Sequence, residues 1–328
     1  MHDIFEKKKV MITGGLGFIG SNLAHELALT GARVTIVDSL APDSGGNLYN
    51  VEDIKKTVKI NICDLRDESS MSVLVEPQDY IFNLAASTSH ADSMTNPYAD
   101  MEANCRGQLS LLEACRKSHS GAKIVYAGTR QVYGVPQYLP VDEAHPVLPL
   151  DINGVHKFAG EWYHMIYHRV YGLKTTSLRL TNTYGPRMLM KHSRQGFVAC
   201  FMRQAMDGER ITIYGDGKQF RDFNYVDDVT DALLRAAASE KTDGEIYNLG
   251  SEEQVTLLDF AKLLIRTCGK GSYRLVPFPS ERKKIDIGSY RGNYQKIKET
   301  LMWEPRVTLE NGLRKTIEFY RAHKAHYW

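Results

Sequence analysis

Asn153 and Lys157 lie four apart in Asn153-Gly154-Val155-His156-Lys157-Phe158-Ala159-Gly160-Glu161. On a helix they share one face, setting a carboxamide beside an ammonium group. Thr129 ends the strand-like run Ile124-Val125-Tyr126-Ala127-Gly128 and puts a hydroxyl at the tip of a loop. A third set is Gly14, Gly17 and Gly20, between strand-like Lys9-Val10-Met11-Ile12 and helix-like Ser21-Asn22-Leu23-Ala24-His25-Glu26-Leu27. That spacing allows a tight turn, close approach of a pyrophosphate to backbone N–H groups, and a helix N-terminus facing the phosphates. Some 20 residues on, Val34-Thr35-Ile36-Val37-Asp38 reads as a second strand ending in a carboxylate. Asp38 is placed to accept hydrogen bonds from an adenosine ribose and would repel a 2′-phosphate, so the expected dinucleotide is NAD rather than NADP. The plainer reading is a structural turn followed by a strand-end Asp.

The elements that must hold these residues alternate along the first half of the chain. Strands are expected near 9–13, 33–38, 57–61, 79–84, 122–127 and 174–180, with helices near 18–30, 66–75, 98–118 and 152–171. This is the pattern of a parallel sheet covered on both faces. Glu245-Ile246-Tyr247-Asn248-Leu249-Gly250 looks like a late strand, so the sheet is expected to resume after an excursion of the chain. From Pro186 onward come a basic loop, a helix around 195–207, a short strand at 211–213 and three further helices. The expected fold is α/β, a Rossmann-type doubly wound parallel sheet with a smaller mixed α/β C-terminal substrate domain. The division falls at 1–182 for the nucleotide domain and 183–328 for the substrate domain, with residues near 222–250 returning to the first. The smaller part should cap the crevice at the carboxyl edge of the sheet, where ligands of such folds bind.

Bulk composition sets limits on the partners. With 43% hydrophobic and 24% charged residues the chain is an ordinary globular protein, and a net charge of +2 gives no case for nucleic acid. Cys63, Cys105, Cys115, Cys200 and Cys268 are odd in number and lack C-x-x-C spacing, so free thiols are expected rather than disulfides or a metal site. The first nine residues have no apolar signal core and no later run is long enough to span a bilayer, which makes a cytoplasmic enzyme without membrane contact the expectation.

Further motifs add detail. Asp64-Leu65 follows the third strand and could hold the adenine edge, or Asp64 could only cap the next helix. Asn83-Leu84-Ala85-Ala86 ends the fourth strand in small residues that leave room for the ribose and diphosphate. Asn104, a poor helix former within a helix, should hydrogen-bond something buried. Taken with Leu180-Thr181-Asn182-Thr183-Tyr184-Gly185-Pro186-Arg187, these motifs resemble, in order and spacing, the extended short-chain dehydrogenase/reductases, and among them the nucleotide-sugar epimerases, dehydratases and decarboxylases. The resemblance runs from Lys9 to Trp303 and beyond.

The resemblance implies roles. Cofactor contacts would fall to Gly14, Gly17, Phe18, Ile19, Gly20, Asp38, Ser39, Asp64, Leu65, Leu84, Ala85, Ala86, Asn104 and Lys157. Substrate contacts would fall to Thr88, Asn182, Arg187, Gln195, Arg221 and Arg282, with Asn182 and Arg221 on the diphosphate; the basic 187–195 loop could close over the sugar or be only a mobile surface segment. A homodimer through the helices near 98–118 and 152–171 is implied too, with Leu109, Leu112, Trp162, Ile166 and Val170 as apolar residues that could serve it or pack on the sheet. In that family a loop Ser or Thr and a Tyr four residues before a Lys form the catalytic group. Thr129 and Lys157 match, but the Tyr position is Asn153, which has no ionisable proton. Four readings follow: another base among Tyr133, His156, His90 or a water held by Thr129; Asn153 only orienting substrate in altered chemistry; an inactivating substitution; or binding without turnover. Dehydratases of the family place Asp-Glu after the loop Thr, and decarboxylases carry Glu at the second of those positions; here Arg130 and Gln131 stand there. The expected activity is therefore NAD-dependent nucleotide-sugar epimerisation by transient oxidation of a sugar carbon. A uronic-acid decarboxylase, or a protein that only binds NAD and a sugar nucleotide, is the alternative.

Overall fold

A computed structural model describes residues 2–42, 44–191 and 196–328. Seven parallel strands make the central sheet: β1 (Lys9–Thr13), β2 (Arg33–Asp38), β3 (Lys59–Ile62), β4 (Tyr80–Asn83), β5 (Lys123–Thr129), β6 (Thr175–Leu180) and β7 (Glu245–Asn248). Their order is β7-β6-β5-β4-β1-β2-β3. The chain reverses direction of travel between β1 and β4, and the register there sets Thr13 against Asn83. A crevice at such a switch point is where doubly wound sheets bind ligands.

Each strand feeds two cores, as period-two alternation requires. Val10, Ile12, Val34, Ile36, Val125 and Leu178 face one way, under Leu23 and Leu27 of helix Phe18–Leu29 and Val229 and Leu233 of helix Val226–Ala238. Met11, Val37, Ile81 and Ile124 face the other, under helices Glu68–Val75, Gly107–Lys117 and Ile152–Tyr171. β7 pairs with β6 only after the chain has left the sheet and returned.

The stretch 98–118 is not one helix. Helix Pro97–Met101 runs into a π-helical turn, Glu102–Arg106, before Gly107–Lys117 begins. The wide turn carries Asn104, which a regular helix would place differently. Helix Ile152–Tyr171 starts on Asp151, whose Oδ1 accepts from Gly154 N at 2.6 Å, and stops at Gly172 in the left-handed conformation, φ 73°.

The remaining chain builds a third core around Val198, Phe201, Phe260, Leu313 and Tyr320, at the carboxyl edge of the sheet. Strand Asn182–Tyr184 pairs with Phe223–Tyr225, and Arg210–Tyr214 with Ser272–Val276. Among the described residues no helix is long and apolar enough to cross a membrane.

Candidate active site

One cleft of about 880 Å³ lies between the sheet edge and the smaller core, and the glycine loop forms its floor. Gly14 has φ +66°, and a Cβ there would meet Ala85 N at 2.9 Å; a Cβ on Gly20 would meet Gly14 O at 2.3 Å. The first glycine frees the turn and the last lets the helix approach the strand. Gly17 caps the helix Phe18–Leu29 without a side-chain hydrogen bond, and Gly17, Phe18, Ile19 and Gly20 at that helix start line the cleft.

Asp38 ends β2 with its carboxylate held by Leu16 N (3.0 Å) and Leu40 N (2.9 Å). Burial pushes its carboxyl up, and these two N–H groups oppose the rise. The lining beside it is Ser39, Ala41, Pro42 and Gly46, and the nearby cation Arg66 is committed to Asp64 and Glu102. A site with a ribose acceptor and, among the described residues, no free cation beside it fits NAD and not a 2′-phosphate. The Asp64 carboxylate is gripped by Arg66 at 2.7 and 2.9 Å, and that contact holds its carboxyl below the usual range. Phe18, Ile19, Asp64, Leu65, Leu84, Ala85 and Ala86 all line the cleft.

Behind them runs a buried amide chain. Thr13 Oγ1 donates to Asn83 Oδ1 (2.8 Å) and accepts from Leu84 N and Ala85 N. Asn83 Nδ2 donates to Gln108 Oε1 and lies 3.1 Å from His164 Nε2. Burial pushes His164 down to about 4, so its neutral ring accepts there. Asn104 is fully buried and does not line the cleft; its carboxamide accepts from Ser87 N (3.2 Å) and donates to Ser87 O (3.0 Å). It fixes the loop that touches the cofactor space.

Thr129, Asn153 and Lys157 all line the cleft. Lys157 Nζ donates to Ala127 O at 2.7 Å and sits 4.4 Å over the Tyr126 ring. Burial pushes its ammonium down to about 8. Asn153, 2% exposed, donates from Nδ2 to Ser87 O and to Asp100 Oδ2, both at 2.9 Å. Both amide protons are thus spent on the chain, and only Oδ1 is left to accept from a substrate. Asp100 also accepts from Asn104 Nδ2 (3.0 Å) and lies 2.8 Å from His156 Nδ1. The surroundings of Asn153 are matched to an amide.

Among the other bases considered, Tyr133 is buried outside the cleft lining. Its hydroxyl donates to Asn248 (2.7 Å) and accepts from Arg179 (2.6 Å), and burial pushes it up to about 12. His156 turns to Asp100 and also stays out of the lining. His90 does line the cleft, with Nδ1 2.9 Å from Asp151 Oδ2.

Thr88, Asn182 and Arg221 also line the cleft. Asn182 accepts from Arg130 Nη2 (3.1 Å) and donates to Asp222 O (2.9 Å). Arg221 donates to Phe220 O, Gly288 O and Asp286, and burial with the neighbouring Arg130 pushes it down to about 10. Arg130 lies 4.9 Å over the Tyr290 ring, its Nη1 buried without a partner. Two expected substrate contacts stand elsewhere. Arg187 holds Asn50 O and Asn22 Oδ1 and ties the turn to the first helix, and Arg282 lies over Tyr214, outside the cleft lining. Gln195 lies outside the described residues.

Sequence reasoning missed Asp100 and Asp151. Asp151 had a signal, an N-cap type just before a helical run. Asp100 was missed because two of its partners, Asn153 and His156, come from a helix more than 50 residues away.

The profile of the NAD dependent epimerase/dehydratase family matches residues 10–250. UDP-glucuronic acid decarboxylase 1 of Xenopus tropicalis is 32% identical over 98% of this chain and 74% of its own length. The UDP-glucose 4-epimerase of Thermotoga maritima, solved with UDP-glucose, superposes with a TM-score of 0.87 at 33% identity, over 96% of this chain and 99% of its own. The UDP-glucose 4-epimerase of Thermus thermophilus, solved with NAD, gives 0.85 at 32% identity, over 95% and 99%. A seven-stranded doubly wound sheet, a dinucleotide loop with a ribose carboxylate and a family match over most of the chain lead to one conclusion: this protein belongs to the NAD-dependent epimerase/dehydratase family of nucleotide-sugar enzymes, with NAD as its cofactor.

Proposed function

We propose that the protein is a nucleotide-sugar epimerase acting by transient oxidation of one sugar carbon. The observation that carries this reading is one cleft lined by the glycine loop, Thr129, Asn153, Lys157, Asn182 and Arg221, with Arg130 and Gln131 where eliminating carboxylates would stand. Bound NAD supplies a hydride acceptor that can return the hydride to the opposite face. Thr129 hydrogen-bonds the reacting oxygen, Lys157 binds the nicotinamide ribose, and Asn153 Oδ1 accepts from a sugar hydroxyl without taking its proton. Asn182 and Arg221 hold the diphosphate. A proton-NMR time course with UDP-, GDP-, CDP- and dTDP-sugars tests the reading. An inverted sugar with no net consumption of NAD is expected; no converted sugar in the panel would leave a binding role.

A second reading, decarboxylation of a nucleotide uronic acid, is supported by Arg130, a guanidinium in the cleft with one nitrogen lacking a partner. The decarboxylase relative supports it equally. Carbon dioxide release from UDP-glucuronic acid decides between them. We further propose a homodimer through helix Ile152–Tyr171, because Val155, Trp162, Val170 and Tyr171 are exposed along it. The free thiols of all five cysteines suit a reducing, cytoplasmic setting.

A further inference from the structure

We propose that His90, set beside the buried carboxylate of Asp151, is the proton acceptor and donor that replaces the missing tyrosine. The inference rests on the transient-oxidation reading above. Asp151 Oδ2 is the meeting point of three elements. It belongs to the residue that caps the helix bearing Asn153 and Lys157, it accepts from Gln131 Nε2 at 2.9 Å, and His90 Nδ1 stands 2.9 Å away. Gln131 is two residues beyond Thr129 in the same loop, so His90 is fixed to the corner where the Thr129 loop meets the start of that helix. Asp151 has a fully buried side chain and keeps its charge: burial alone would raise its carboxyl, but contact with His90, Gly154 N and Gln131 holds it below the usual range.

His90 is open to the cleft. Its Nδ1 is buried 2.9 Å from Asp151 Oδ2, close enough for an ion pair but outside hydrogen-bonding geometry, while 40% of the side chain stays exposed and His90 is part of the cleft lining. An imidazole beside a buried carboxylate and open to a ligand cleft is a group that general acid–base catalysis uses. The competing side chains are placed otherwise: Tyr133 is locked between Arg179 and Asn248, His156 is turned to Asp100, and Asn153 cannot ionise.

The step balances. The sugar O–H bond breaks and its proton goes to His90 Nε2. The O–H electron pair becomes the second carbon–oxygen bond, and the C–H pair leaves as hydride to the bound NAD. Return of hydride to the other face takes the proton back from Nε2. Asp151 is a positioning residue: its buried carboxylate stands 2.9 Å from His90 Nδ1 at the cleft wall.

The test uses the full chain loaded with NAD and the panel UDP-glucose, UDP-glucuronic acid, UDP-N-acetylglucosamine and dTDP-glucose. On any sugar the protein converts, His90→Gly should lower kcat at least about 100-fold and leave KM within about threefold, with activity restored by added imidazole. Asp151→Asn keeps a capping side chain and should lower kcat about tenfold or more without raising KM. His90→Gln, checked by circular dichroism, guards against misfolding of the glycine variant. A His90→Gly protein with near-normal kcat, or a loss that imidazole does not restore, overturns the proposal. If no sugar is converted, the epimerase reading fails separately, and ring-labelled histidine NMR decides the role of His90. Its resonance should then move on addition of at least one of the four sugar nucleotides; a resonance that stays fixed with all four overturns the proposal.

Discussion

Replacing Asn153 with tyrosine restores the family pattern on paper, and the structure predicts that it harms the protein. The Asn153 amide donates to Ser87 O and to Asp100, in a position only 2% exposed. Tyrosine supplies neither donor at that height. The neutral bond contributes about 0.5–1.5 kcal/mol and the bond to the carboxylate about 1.5–3 kcal/mol. Forcing a ring into the space adds about 1–3 kcal/mol of overpacking. Ser87 O and Asp100 each keep a bond from Asn104, which limits the sum to roughly 3–6 kcal/mol. At about 2.1 cal/mol/K of unfolding entropy per residue, a chain of 328 residues loses about 1.5 °C per kcal/mol, so Tm should fall by about 4–9 °C. Scanning calorimetry of Asn153→Tyr beside the parent, with and without NAD, measures this, and the sugar-nucleotide assay is run on both. A variant that melts within about 1 °C of the parent and turns over a sugar nucleotide faster would refute the reasoning, because Asn153 would then be a decayed tyrosine in a site still shaped for one.

Three further outcomes follow from the same geometry. Asp38→Ala removes the ribose acceptor and should weaken NAD about 10- to 100-fold by titration calorimetry, the worth of hydrogen bonds to a charged group; unchanged affinity would place the adenosine elsewhere. Lys157, pushed down to about 8 by burial, loses its charge as pH rises through that value, so NAD affinity should decline above about pH 8, and Lys157→Met should remove the pH dependence. His164 is depressed to about 4 by burial, so the folded protein resists its protonation; the stability this gives is present above the ordinary value near 6.5 and is lost as pH falls toward 4. Urea unfolding at pH 7 and pH 4 should differ by roughly 2–3 kcal/mol more in the parent than in His164→Gln.

What the sequence made legible was whatever depends on neighbours along the chain. Gly14, Gly17 and Gly20 with Asp38 describe one strand–turn–helix–strand unit, and the pairing of Asn153 with Lys157 is a helical repeat. Both lie in the cleft. The expected single helix over 98–118 failed at Glu102–Arg106, because a π turn leaves no mark in apolar periodicity. The orientation of long cations was hidden as well. Arg187 has a positive φ, 72°, and reaches Asn22 and Asn50, partners more than a hundred residues earlier. The carboxylates of Asp100 and Asp151 were hidden for the same reason: what each does depends on groups brought to it by other elements.

The late arrival of β7 bears on how this chain can be made. The core under β1, β5 and β6 is closed by Val229 and Leu233 of helix Val226–Ala238, and the sheet edge by residues 245–248. Both emerge from the ribosome only after Asn182–Tyr184 and Arg210–Tyr214, strands of the smaller part, have been synthesised. The nucleotide-binding half therefore waits, with Val125 and Leu178 uncovered, until about three-quarters of the chain exists. A fragment ending near residue 182 should aggregate rather than bind NAD, because its sheet lacks the helix and the edge strand that cover it.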